Sequence, residues 1–138
     1  MRYHKPFFSV LLMTTCSFMV LAQQGMPKDV AARGKTIYGA VCMACHQSDG
    51  GGVPRLNPPL SGSKTVNGPK DKLIPIVLNG MSGVEIEGES YGNVMASHAD
   101  LKDQEIADVL NYVRNNFGNK ASLVSAADVK KVRIKLKK

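Results

Sequence analysis

The sequence has little of three features that often decide a fold. It has no tryptophan and only 6% aromatic residues, so the polypeptide has few large side chains with which to fill a core. No segment alternates apolar and polar residues convincingly enough to predict a half-buried strand. No apolar run is long enough for a membrane span, which needs roughly 20 residues. We therefore expect a small all-α domain whose thin core is filled partly by something other than polypeptide.

The N-terminal segment has the layout of a secretory signal. Its first five residues include two cationic side chains, residues 7–21 are mostly apolar, and small residues lead up to Ala22. We expect residues 1–22 to be a signal peptide cleaved after Ala22, and the protein to be periplasmic or otherwise exported. A lipoprotein signal ending at Cys16 is a minor alternative, because the apolar run continues past that cysteine.

Positive charge is concentrated at the C-terminus. Without the two basic residues of the signal, the formal net charge falls from +7 to +5. We expect one domain over residues 23–124, which is nearly neutral, and a basic C-terminal helix or tail over residues 125–138. The tail could attract an acidic partner or an anionic membrane surface. A solvated end that only aids solubility is the alternative; nucleic-acid binding is disfavoured because no aromatic residues are interleaved with the cations.

Apolar spacing predicts three helices joined by glycine- and proline-rich loops. The first helix starts near Asp29 and runs into the stretch CMACH, the second runs from Asp71 to Gly80, and the third occupies residues 103–118. The loop between the first two helices is unusually long for a compact domain. Such a loop indicates either disorder or a segment that wraps around a ligand.

CMACH places two thiols and an imidazole within one turn of chain. A redox-active pair normally opens a helix after a strand, whereas this pair ends a helix and follows no strand. A structural zinc site needs four ligands, and outside the signal the chain offers only Cys42, Cys45, His46 and His98, at the wrong spacing. In a covalent haem site every residue is used, because Cys42 and Cys45 form thioethers and His46 binds the iron. The motif favours covalent haem c.

From about residue 29 to 119 the chain resembles the class I mono-haem cytochromes c. The matching stretches are GKTIYGAVCMACH, PPLSG and DVLNYVRNNFGN. The resemblance implies a small haem-wrapping fold in which the N- and C-terminal helices cross, with Gly34 and Tyr38 against Val109 and Tyr112. The glycine-punctuated segment before VMASHADL is similar to bacterial members, particularly to haem domains that take electrons from quinoprotein dehydrogenases.

The resemblance also implies how the iron is held. The carbonyl of Pro58 would accept a hydrogen bond from His46 Nδ1, which leaves Nε2 for the iron. Met95 lies in the loop before the terminal helix, where the family carries its axial methionine. Met81, His98 and an open sixth position are the alternatives to it.

The implied function is electron transfer and not catalysis. A haem with both axial positions filled leaves no site for a substrate, so we expect one electron to pass from a dehydrogenase or respiratory complex to an oxidase or other acceptor. Many relatives have proline where this chain has Ala96, which suggests a looser methionine loop. A haem enzyme or gas-binding sensor with an open or labile sixth position is therefore the alternative. Arg55 or Lys64 could pair with the haem propionates.

Overall fold

The computed structural model describes Met1 and residues 25–137, so the predicted signal peptide beyond Met1, including Cys16, lies outside the described residues. The described residues form these elements: α1 (Lys28–Val41), α2 (Met43–His46), α3 (Lys64–Asn67), α4 (Lys70–Asn79), β1 (Glu85–Ile86), β2 (Glu89–Ser90), α5 (Asp103–Arg114) and α6 (Ala126–Leu136). The strands pair antiparallel over only two residues each. The predicted all-α class is confirmed, and no helix in the described ranges is long and apolar enough to cross a membrane.

Helices α1 and α5 cross at Gly34. A Cβ on Gly34 would collide with the carbonyl oxygen of Asp108 and would lie 2.7 Å from Tyr112 Cβ, so only glycine allows the two backbones to approach this closely. One turn later the Tyr38 ring packs against Tyr112 and Phe117, with centroid distances of 5.5 and 5.2 Å. The predicted crossing of the N- and C-terminal helices is confirmed.

An ion pair between the half-exposed Arg33 and the buried Asp108 ties the same two helices together. The Asp108 side chain is 2% exposed and accepts hydrogen bonds from Arg33 Nε at 2.6 Å, Arg33 Nη2 at 3.3 Å and Gln104 Nε2 at 2.9 Å. Hydrogen bonds to Asp108 and Asp29 raise the pKa of Arg33. A buried carboxylate needs such partners, because its desolvation would otherwise be costly.

The C-terminal helix α6 packs on the core formed by α4 and α5. Its Val129 is fully buried there, and a capping box formed by Ser125 and Asp128 begins the helix. Lys70 Nζ lies 2.6 Å from Asp128 Oδ2, and Arg133 Nε lies 2.8 Å from Asp103 Oδ1. Residues 126–136 thus form a helix that packs against α4 and α5. The domain boundary at residue 124 stays a prediction.

Candidate functional site

An apolar cleft lies between the end of α1, the loop after α2, α4 and α5. Its cavity volume is about 240 Å³, whereas one water needs only about 10–15 Å³. The lining contains all the predicted site residues and both alternative ligands: Cys42, Cys45, His46, Pro58, Met81, Met95 and His98. Arg55 and Lys64, considered for the propionates, do not line it. Apolar space of this size indicates a large, mostly apolar ligand.

The CMACH stretch reaches the cleft because α1 ends just before it. Cys42 caps α1 and begins the single turn of α2, and the Tyr38 hydroxyl donates to the Gln47 carbonyl at 2.6 Å, which holds the end of that turn against α1. Cys42 and Cys45 are not joined to each other by a disulfide. Burial, with a smaller contribution from Cys45, raises the pKa of Cys42 to about 11. Cys42 and Cys45 thus reach the cleft from the end of α1.

His46 is oriented by the chain that wraps around it. Its side chain is buried and Nδ1 lies 3.0 Å from the Pro58 carbonyl oxygen. Because that oxygen can only accept, Nδ1 carries the hydrogen and Nε2 keeps its lone pair. Burial lowers the pKa of His46, which favours the neutral imidazole, although the hydrogen bond to Pro58 acts in the opposite direction. A neutral, oriented imidazole is the form that binds a metal.

Pro58 is held close to His46 by a tight loop. Gly52 has φ +65° and donates to the His46 carbonyl at 3.1 Å. A Cβ at Gly52 would collide with the Asn57 carbonyl oxygen and lie 2.7 Å from that of Pro58, so glycine is required. The loop therefore holds the Pro58 carbonyl against the imidazole.

Met81 and Met95 lie opposite each other in an isolated antiparallel bridge. Each backbone N–H donates to the other residue's carbonyl at 2.9 Å. Directly opposed residues in such a pair project to the same face. With His98 also in the lining, the structure brings three candidate sixth ligands to the cleft that holds His46.

The residues present fit haem better than zinc. The cleft is mostly apolar, and it offers two thiols next to an imidazole whose Nε2 is free. Within the part of the chain that the structure describes, no group of three or more histidine, cysteine or acidic side chains is placed to hold a metal ion. Large apolar volume together with thiols and an oriented imidazole is what a covalently attached porphyrin requires.

The β1–β2 hairpin is a part of the site that sequence reasoning missed. Glu87 lies in the turn between the two strands and accepts hydrogen bonds from Ser63 Oγ at 2.8 Å and from the Thr65 N–H at 3.0 Å. The bond to the Thr65 backbone, followed by that to Ser63, lowers the pKa of Glu87. Glu87 and Gly88 both have positive φ, so the glycine was the only local signal for this turn.

Comparisons with known proteins identify the family of the chain. The family described as Cytochrome c matches residues 31–117. A cytochrome c-552 of Thermus thermophilus is 36% identical over 132 residues, covering 88% of this chain and 86% of that protein. The cytochrome c subunit of the quinone alcohol dehydrogenase of Gluconacetobacter polyoxogenes is 38% identical, covering 72% of this chain but 22% of that subunit. The chain therefore belongs to the cytochrome c family, as a class I member whose cofactor is covalently bound haem c.

Proposed function

We propose that the protein carries single electrons on one haem c, attached through Cys42 and Cys45 and ligated by His46 and Met95. The observation that carries the proposal is the meeting of these four side chains in one apolar cleft. Bound haem supplies an iron that passes between the ferrous and ferric states. The chain's own part is to orient His46 through Pro58, to exclude water, and to offer a thioether, which favours the ferrous state.

Met95 is preferred to Met81 and His98 as the sixth ligand because of its surroundings. It lies in the segment that leads into α5, where the family carries its methionine. Met81 follows directly on the Gly80 cap of α4. His98 comes only five residues before α5 begins and donates its backbone N–H to the Val77 carbonyl. Filled axial positions leave substrates no place at the iron, so the protein itself is not an enzyme.

Ala96 favours a second candidate, a haem enzyme or gas sensor with a labile sixth position. Unlike proline, Ala96 has no ring that locks its own φ. The two functions separate in one experiment on the purified haem protein: a redox titration followed by exposure of the reduced form to carbon monoxide. The carrier predicts a reversible one-electron transition and a spectrum that carbon monoxide leaves unchanged. Ready carbon monoxide binding with peroxide turnover would establish the second candidate.

We infer that the redox partners are a dehydrogenase or respiratory complex as donor and an oxidase as acceptor. Support comes from relatives that are cytochrome c subunits of dehydrogenases. The signal-like sequence of residues 1–22 supports an exchange in the periplasm or another exported compartment.

The outward side of α6 is proposed as a weak contact for an acidic partner or an anionic membrane surface. Lys130, Lys131 and Lys135 are exposed there, and in the described residues none forms an ion pair. Exposed cations of one sign speed encounter with an acidic surface at low salt. Because Arg133 and Asp128 already fix α6, the lysines can be changed without undocking the helix.

The test compares two triple variants that remove equal charge. Lysine-to-glutamine changes are made on α6 in one protein (Lys130, Lys131, Lys135) and elsewhere on the surface in the other (Lys28, Lys35, Lys120). The contact predicts that only the α6 variant loses the salt dependence of reduction by the donor. Equal losses in both variants would show that net charge alone acts.

A further inference from the structure

The segment that carries Met95 is fastened to the C-terminal end of α4. Besides the paired bonds between Met81 and Met95, the Ser97 hydroxyl donates to the Leu78 carbonyl at 2.6 Å, and the His98 N–H donates to the Val77 carbonyl at 3.0 Å. The last carbonyls of any helix lack partners within the helix. Here the methionine segment supplies partners for two of them, so the helix end and the segment complete each other.

Gly80 lets the two chains come into contact. It ends α4 with φ +73°, in the left-handed region, and donates its N–H to the Ile76 carbonyl. A Cβ at this position would collide with the Met95 carbonyl oxygen and would lie 2.8 Å from both Ala96 C and Ser97 N. All three are backbone atoms, which cannot rotate aside. Any other residue would therefore push the methionine segment away from α4.

We propose that Gly80 and Ser97 are positioning residues that hold Met95 on the iron. They fix the Met95 backbone against the rigid end of α4, which is the restraint that Ala96 does not supply. The proposal rests on the proposed function, in which Met95 is the axial ligand. It adds that the bond between Met95 and the iron depends on the hydroxyl of Ser97, two residues along the chain, and on Gly80 at the end of α4.

The physical reason is the cost of releasing the segment. When Met95 leaves the iron, its segment lifts away from α4. In the wild type this breaks the short hydrogen bond from the Ser97 hydroxyl and leaves the Leu78 carbonyl without its partner. Without that hydroxyl, the carbonyl has already lost its partner and release costs less. Loss of one such bond corresponds to a roughly fivefold to tenfold larger population of the released form. Gly80→Ala adds a collision, so its effect should be at least as large.

The experiment uses the full haem protein with Ser97→Ala, Ser97→Thr, Gly80→Ala and Met95→Ala. Two readouts follow the ligand: the near-infrared charge-transfer band between thioether and ferric iron, and the fraction of ferrous protein that binds carbon monoxide. We expect Ser97→Ala to increase that fraction roughly fivefold to tenfold. Ser97→Thr keeps the hydroxyl and should restore the wild-type value within about twofold.

Gly118→Ala is the matched control for Gly80→Ala. Gly118 has φ +77°, close to that of Gly80, but nothing lies within 4 Å of its Cβ position. Both variants put alanine at a positive φ, but only Gly80→Ala adds a collision with the methionine segment, so only Gly80→Ala should weaken the band. Because Gly80→Ala could prevent folding, the serine variants decide the matter by themselves.

The outcomes separate the two proposals. If Met95→Ala loses the band while Ser97→Ala behaves as wild type towards carbon monoxide, the positioning role is refuted and the ligand assignment stands. If Met95→Ala keeps the band, the ligand assignment fails, and the positioning role fails with it.

Discussion

Replacement of Gly34 by alanine tests the contact on which the fold depends most directly. Gly34 lies where α1 and α5 cross, and the added methyl group would meet the Asp108 carbonyl oxygen, Asp108 C at 2.9 Å and Tyr112 Cβ at 2.7 Å. Two of these atoms belong to the α5 backbone and cannot move by a rotamer change. The helices would have to separate, and the Arg33–Asp108 ion pair between them would lengthen.

The size of the effect follows from two opposing contributions. Overpacking of a core typically costs about 1–3 kcal/mol, and a collision with backbone belongs at the upper end. Alanine in place of glycine inside a helix gains about 1 kcal/mol. We therefore expect Gly34→Ala to lower the free energy of unfolding by about 2 kcal/mol.

Gly39 in the same helix provides the control. It is exposed and nothing lies within 4 Å of its Cβ position, so Gly39→Ala should stabilise the protein by about 1 kcal/mol. The assay is chemical denaturation of the haem-bearing proteins, followed by far-ultraviolet circular dichroism. If Gly34→Ala proves as stable as Gly39→Ala, the close crossing described above is refuted.

Two further predictions concern carboxylates. Asp108→Asn removes the charge that accepts the Arg33 hydrogen bonds. Because Arg33 is half-exposed, the loss in the same assay should be smaller than for a fully buried ion pair, about 2 kcal/mol. Asp29→Asn on the surface should change little, and equal effects of the two substitutions would contradict the burial of Asp108. The hydrogen bond from Lys70 holds the pKa of Asp128 at about 2, below its unfolded value of about 3.9. Its stabilising contribution is therefore present above about pH 4 and is lost as pH falls towards 2. Unfolding midpoints across this range should fall less steeply in Asp128→Asn than in wild type, and identical slopes would exclude the contribution.

The helices and the haem motif could be predicted because their signals are local. The apolar stripe of α5 and the CMACH spacing are complete within one stretch of chain, and Gly80 ends α4 as expected from its sequence. Lys102, the N-cap residue of α5, has no side-chain oxygen to accept from the N–H groups of the first turn, so one stabilising cap is lost. Its backbone N–H nevertheless donates to Glu105 Oε2 at 2.7 Å, so part of that loss is offset.

The remaining features depend on contacts between distant segments. The short helix α3 lies in the predicted loop, where its Ser63 cap was hidden among glycines and prolines. The attachment of Glu87 to residues 63–65 and of Ser97 to Leu78 joins segments about 20 residues apart, so neither follows from periodicity. The docking of α6 likewise depends on partners in α4 and α5, whereas its sequence alone shows mainly charge.

The most direct measurement is the near-infrared spectrum of the oxidised haem protein, recorded for the wild type and for Met95→Ala, Met81→Ala and His98→Ala. Ligation by His46 and Met95 predicts a thioether-to-iron band in the wild type that disappears only in Met95→Ala. Disappearance in Met81→Ala alone, or a wild-type spectrum without the band, would contradict the account.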